Sequence, residues 1–249
     1  VVICAEGYHV FDADPRTLAW AQAAHRVALD LVAQPEVRAP NLRHQATWFV
    51  GVDALPNATD GSINGAVLAG DWGGHVDAPS SWHRAQLSIV YPGYPGQDPD
   101  ESDANHRYRI NRFAAHVDGL LPIGPDRRRF LKEPHAFILG LSLNVSDAAP
   151  LMVWPGSHQI MGAAFRSAMI GHDPTGIDIT DIYQSARREV FDTITPIAIR
   201  ARPGQAMLLH RHLLHGVAPW QDGDSAPPEG RMIAYFRPQF GAEDWLRED

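Results

Sequence analysis

Apolar positions along the chain change period several times, and the changes mark out its elements. Leu18, Ala21, His25, Ala28 and Val32 recur three or four residues apart, the period of a helix with one buried face. Asp14-Pro15 supplies an N-cap and a proline suited to the first turn, and Pro35 should stop the run, which predicts a helical part over about 12–34. His25 falls on the apolar face, where a core histidine is a plainer reading than a ligand. From residue 46 the pattern becomes that of strands. Residues 47–52 and 86–91 are short apolar and aromatic runs, separated by a Gly-, Asn- and Asp-rich excursion to Pro79. Pro92-Gly93-Tyr94-Pro95-Gly96 reads as a turn, and the acidic residues 97–106 as a loop. A strand is predicted over 108–118, and another over 136–145, so rich in Ile, Leu and Phe that both its faces should be buried.

Helical spacing returns in the next part. Ser157 is a candidate cap for a helix to about Ile170, and Thr180 for one over 181–192, with Ile182, Ala186 and Val190 on its apolar side. Strands then resume: Ile197 and Ile199 alternate, Pro203-Gly204 turns, residues 206–210 are apolar, and 231–237 form the last strand. Many short strands joined by turns predict a mainly β fold with helical additions, a sandwich or jelly roll. The jelly-roll core should run over about 46–240 with a helical insertion at about 157–192. No repeat or linker interrupts it, and residues 1–249 read as a single domain.

Composition narrows the chemistry. The net charge of -8 argues against a nucleic-acid partner, which would need a surplus of Lys and Arg. With Cys4 as the only cysteine there is neither an internal disulfide nor a thiolate cluster, so any metal must be held by His and carboxylates. Thirteen His make that easy, and make chance His motifs common. No apolar run has the length of a membrane span. The opening residues 1–5, which begin at Val1 rather than Met, are too short for the apolar region of a signal peptide, so the expected location is cytoplasmic.

The candidate chemistry centres on His116-Val117-Asp118. On a strand, residues two apart point the same way, so His116 and Asp118 would present an imidazole and a carboxylate side by side. They make two-thirds of a 2-His-1-carboxylate facial triad, the set that holds non-haem Fe(II) and leaves positions open. His75-Val76-Asp77 repeats the tripeptide, but in a Gly-rich stretch with no apolar strand before it. His215, after the Pro203-Gly204 turn and an apolar strand, is a candidate third ligand, with His210 and His212 as close competitors on the opposite strand face. Arg231 opens the last strand, and Arg237 lies further along on the same face. Arg231 suits a buried carboxylate, because the guanidinium fork matches it and stays charged, although an Arg at the start of a strand is more plainly a surface ion-pair residue. Arg127, Arg128 and Arg129 with Lys132 form the densest basic cluster. Its plain reading is a solvated loop; its sharper one is a rim for an anionic small-molecule substrate, with His135 and His158 as further pocket candidates.

Three blocks resemble the phytanoyl-CoA dioxygenase-like family of Fe(II)/2-oxoglutarate-dependent oxygenases, over roughly 108–240. His116-Val117-Asp118 matches its His-x-Asp. Ala149-Pro150-Leu151-Met152-Val153-Trp154-Pro155-Gly156-Ser157-His158 is similar to its Pro-Gly-Ser-His segment. Gly204 through His215-Gly216 is similar to the block in which the His before Gly binds iron. The resemblance implies a cupin-like double-stranded β-helix. It implies His116, Asp118 and His215 as iron ligands, Arg231 as the 2-oxoglutarate anchor, and Fe(II), 2-oxoglutarate and O₂ as cofactor and co-substrates. It further implies oxidation of a C–H bond with release of succinate and CO₂. Relatives that halogenate carry a small residue in place of the carboxylate, so Asp118 favours hydroxylation. Where the family often has Ser after His-Gly this chain has Val217, and residues 220–230 are long before Arg231. Tyr108, of the same strand parity as His116, is a candidate hydroxyl for the co-substrate site. Two other readings stay open: a cupin-like metal enzyme without 2-oxoglutarate, and a non-catalytic jelly-roll binding module.

Overall fold

The computed structural model describes residues 4–248; the start of the apolar opening, Val1–Ile3, lies outside them. Strand β1 (Tyr8–Val10) leads into helix α1 (Pro15–Val32), capped by the Asp14 carboxylate, which accepts the Arg16 N–H at 2.7 Å. Pro35 ends nothing by itself. It occupies the first turn of a further helix, α2 (Pro35–Asn41), as proline's fixed φ allows. Strands β2 (Leu42–Arg43), β3 (Trp48–Gly51) and β4 (Gln86–Val90) follow. Helix α3 (Asp103–Asn111) precedes a hairpin of β5 (Leu120–Ile123) and β6 (Arg128–Leu131), then β7 (Phe137–Ser142) and β8 (Leu151–Val153). Helices α4 (Ser157–Met169) and α5 (Thr180–Thr193) form the insertion. The chain closes with β9 (Ile197–Ile199), β10 (Ala206–His210), β11 (His215–Val217), β12 (Arg231–Phe236) and the short α6 (Ala242–Trp245).

Seven strands form the main sheet in the order β1-β10-β7-β12-β4-β3-β2, every pair antiparallel, and β11-β8-β9 form a smaller sheet. The strand alternation sorts the core into layers. Leu139, Leu141 and Leu208 point outward and pack with Trp20 and Ala24 of α1. Ile138, Met207 and Leu209 point inward and meet Leu151 and Val153 of the smaller sheet. Met152, one residue out of phase, joins Phe165 and Tyr183 of α4 and α5 on that sheet's other side. The molecule is therefore a jelly roll flanked by α1 on the main sheet and by α4 and α5 on the smaller one. Strand β7 is buried on both faces, as its composition predicts.

Two expectations fail. Residues 108–118 are not a strand: α3 occupies 103–111, capped by the Ser102 hydroxyl, which accepts the Asn105 N–H at 3.3 Å. No residue of α3 is fully buried, so no apolar face marks its helical period in the sequence. The hairpin of β5 and β6 is a strand pair where the arginine cluster suggested a loop. Smaller shifts concern the caps. Gly156, not Ser157, is the N-cap of α4, and the Ser157 hydroxyl accepts the Leu214 N–H at 2.9 Å instead. At α5 it is Asp178 that accepts the Thr180 N–H, at 3.0 Å. No helix among the described residues is long and apolar enough to cross a membrane.

Candidate active site

After α3, Phe113 (φ 57°) and Ala114 (φ 51°) take the left-handed conformation and fold the chain back beside β11. There the backbones of His116 and His215 pair reciprocally, N–H to O, at 2.8 and 3.1 Å. The approach is close enough that a Cβ on Gly216 would lie 2.2 Å from the Phe113 carbonyl oxygen, so glycine is required next to His215. His116 and Asp118 thus share a side without being on a strand.

Both imidazoles are oriented in the same way. Nδ1 of His116 meets the Ala114 carbonyl at 2.9 Å, and Nδ1 of His215 meets the Leu213 carbonyl at 2.9 Å. A carbonyl can only accept, so each Nδ1 carries the proton and each Nε2 keeps a lone pair for a metal. Nε2 of His116 is 3.1 Å from Asp118 Oδ1, and Nε2 of His215 is 3.6 Å from Oδ2. One donor atom from each residue falls within 4.8 Å of the others, and no other such group occurs among the described residues. Adjacent ligands of an octahedral ion with bonds of about 2.1 Å stand about 3 Å apart, so the spacing and the N₂O donor set fit Fe(II). Burial pushes the Asp118 carboxyl upward, but the guanidinium charge of Arg237, the largest opposing influence, helps hold the group well below the usual carboxylate range. It is ionised and ready for a cation.

The triad borders a cavity of about 640 Å³ between the two sheets. Trp48, Ser88, Ile138, Leu209 and Tyr235 line it from the main sheet, Leu151 and Val217 from the smaller one. His83, Gln86, Glu133, His135 and Arg237 add polar groups. Arg231 does not line this space directly. It sits in the cross-strand row Trp48–Val90–Arg231, which puts its side chain on the same sheet face as the cavity residue Trp48. It is buried, and its Nε has no hydrogen-bond partner.

No family model matches the chain, and no curated protein does. Among solved structures it is similar to the non-heme alpha ketoglutarate dependent carbocyclase SnoK from nogalamycin biosynthesis (TM-score 0.54, 12% identity, 94% of this chain and 80% of that one). The likeness is one of fold. AviO1 from Streptomyces viridochromogenes Tue57 (TM-score 0.48, 13% identity, 94% and 90% covered) is also similar. So is EctD from S. alaskensis, with 2-oxoglutarate and 5-hydroxyectoine (TM-score 0.43, 18% identity, 93% and 71% covered).

Several candidates lie away from the jelly-roll cavity. Tyr108, being on a helix, does not reach it: its hydroxyl donates to the Ala115 carbonyl at 2.7 Å and braces the loop that carries His116. Arg128 pairs with Asp178 and Asp181, Nη1 of Arg129 donates to the Leu120 carbonyl, and Arg127 is exposed at the hairpin turn. The cluster ties the hairpin to the start of α5. His158 packs on His210, and His210 on His212. Burial, then His210 and Arg211, hold His212 well below its ordinary pKa, a neutral core histidine. The chain turns at 210–213, where the Leu213 N–H returns to the His210 carbonyl, so strand parity does not carry on to His215. His75 packs on His9 and Phe11, away from His215. His135 does line the cavity; its Nδ1 meets the Arg237 carbonyl at 3.1 Å, and burial, partly offset by Asp118, lowers its pKa.

Arg237, second to Arg231 in the sequence, is the arginine at the metal site, and Gln86 and Ser88 were missed. Their signal was available: two polar residues with one parity inside an apolar strand.

Proposed function

We propose that the protein is a mononuclear Fe(II)- and 2-oxoglutarate-dependent oxygenase of the phytanoyl-CoA dioxygenase-like kind, hydroxylating a small molecule. The observation that carries this reading is the convergence of His116, Asp118 and His215 at a largely apolar cavity. When bound, iron with 2-oxoglutarate and O₂ supplies oxidative decarboxylation to succinate and CO₂ coupled to oxidation of a C–H bond. His116 and His215 would hold the metal through Nε2 and Asp118 through its carboxylate, leaving the remaining positions to the keto acid and O₂. Arg231, a buried guanidinium whose Nε has no partner, would bind the distal carboxylate. Ile138, Leu151, Leu209 and Val217 exclude water around the reacting atoms, and His135 and Gln86 offer hydrogen bonds to the substrate. Asp118 fills the position that a halide would need, which favours hydroxylation.

Anaerobic titration with Fe(II) and 2-oxoglutarate tests the reading. The wild type should develop a metal-to-ligand charge-transfer band, and His116→Ala should not. Absence of the band in the wild type, or its persistence in the variant, defeats the proposal.

A further inference from the structure

The strand that begins at Arg231 leads to a second arginine on the same face, held through both its side chain and its backbone. Nε of Arg237 donates to Asp118 Oδ2 at 2.5 Å, and Nη1 donates to Gln86 Oε1 at 2.7 Å. The guanidinium carbon lies 5.0 Å from the centre of the Tyr235 ring. Its backbone N–H donates to His83 Nε2 at 2.7 Å, and its carbonyl meets His135 Nδ1 at 3.1 Å. All this anchoring ends on the carboxylate of a metal ligand.

We propose that Arg237 is a positioning residue that keeps Asp118 a one-oxygen ligand and so preserves the open coordination positions. The proposal rests on the metal reading above. A free carboxylate can bind a cation through one oxygen or both. The charge-assisted bond to Oδ2 engages one oxygen and fixes rotation of the group, so that Oδ1 lies close to His116 Nε2, at 3.1 Å, and Oδ2 farther from His215 Nε2, at 3.6 Å. A chelating Asp118 would take one of the three positions that a keto acid and O₂ require. Lys could not do the same, because only the planar fork reaches Asp118 and Gln86 together. The direction of the effect is diagnostic. A positive charge beside a cation site weakens metal binding by repulsion, so if charge were its whole effect, removing it would tighten binding. If orientation dominates, removing it frees the carboxylate to rotate, which alters its mode of coordination and loosens binding because the ligand is no longer preorganised.

The test uses Co(II) alone as probe, with affinity from calorimetry and coordination from the visible absorption spectrum. Arg237→Met should bind Co(II) about 10–100-fold more weakly, the usual cost of losing a partner that orients a metal ligand, with an altered spectrum. Arg237→Lys should recover part of the loss. Gln86→Leu, which removes the brace but leaves the Asp118 contact, should shift both readouts less and in the same direction; it carries the test if Arg237→Met fails to fold. Equal or tighter binding with an unchanged spectrum in the folded variants overturns the positioning role. Failure of the wild type to bind Co(II) overturns instead the metal reading beneath it.

Discussion

Arg231 and Arg237 stand on one face of the last strand and its extension, in opposite electrostatic situations. Arg237 is matched by Asp118, whereas Arg231 is buried with Nε unsatisfied. Burying an unpaired charge is costly, and its replacement by an apolar residue is often neutral or stabilising. Arg231→Leu should therefore melt no lower than the wild type without ligand. Its affinity for 2-oxoglutarate should fall at least about tenfold, the loss expected for a charged hydrogen bond of roughly 1.5–3 kcal/mol, while Co(II) affinity stays unchanged. Melting curves and calorimetry check all three. Residue types were legible in the sequence at this scale: His116, Asp118 and His215 were named from their chemistry and a family pattern, and the structure brings them together. Which arginine meets Asp118 was not legible, because both share a parity and only the packed register places one beside the triad.

Elements with strong periodicity, α1 and β7 above all, could be read directly because their pattern spans many residues. Residues 103–118 could not. A short polar segment obeys its cap as readily as its alternation, and here Ser102 favours a helix. The arginine cluster misled for a related reason: its partners Asp178 and Asp181 lie fifty residues or more away. That junction makes a pH prediction. The Thr180 hydroxyl, then Arg128, then the Thr180 N–H hold the Asp178 carboxyl down to about 2 from 3.8. A depressed pKa means that the folded state binds the proton less well, so this stabilisation is full above 3.8 and is lost as pH falls towards about 2. Asp178→Asn should be less stable than the wild type at neutral pH, and the difference should close over that acid interval. Denaturant melts at several pH values decide it; a gap that stays constant with pH would contradict the assignment.

Across the whole molecule, the layers meet at a few aromatic residues. Phe236 is fully buried, with its ring 5.5 Å from Trp20 of α1 and 5.1 Å from Trp82 of the long excursion. It joins the outer helix, the main sheet and the 52–85 segment in one core. Phe236→Ala should cost about 3–5 kcal/mol in denaturant unfolding. The loss should appear in one cooperative transition, since the strands of the main sheet carry the outer core on one face and the inner core on the other. Two separated transitions would show that the helix unfolds apart from the sheet.

The chain by itself determined what depends on near neighbours: the periods that make strands and helices, the mainly β class, and the kinds of ligand a one-cysteine, thirteen-histidine protein can offer. Those properties are written in windows of a few residues, where alternation and capping act. Only the tertiary structure decided that His116 sits on a loop, that Tyr108 braces it, and that Arg237 reaches Asp118 across 119 positions of sequence. Such contacts depend on strand register and on how two sheets face each other. No local window contains that information, because its energy arises only when distant segments pack together.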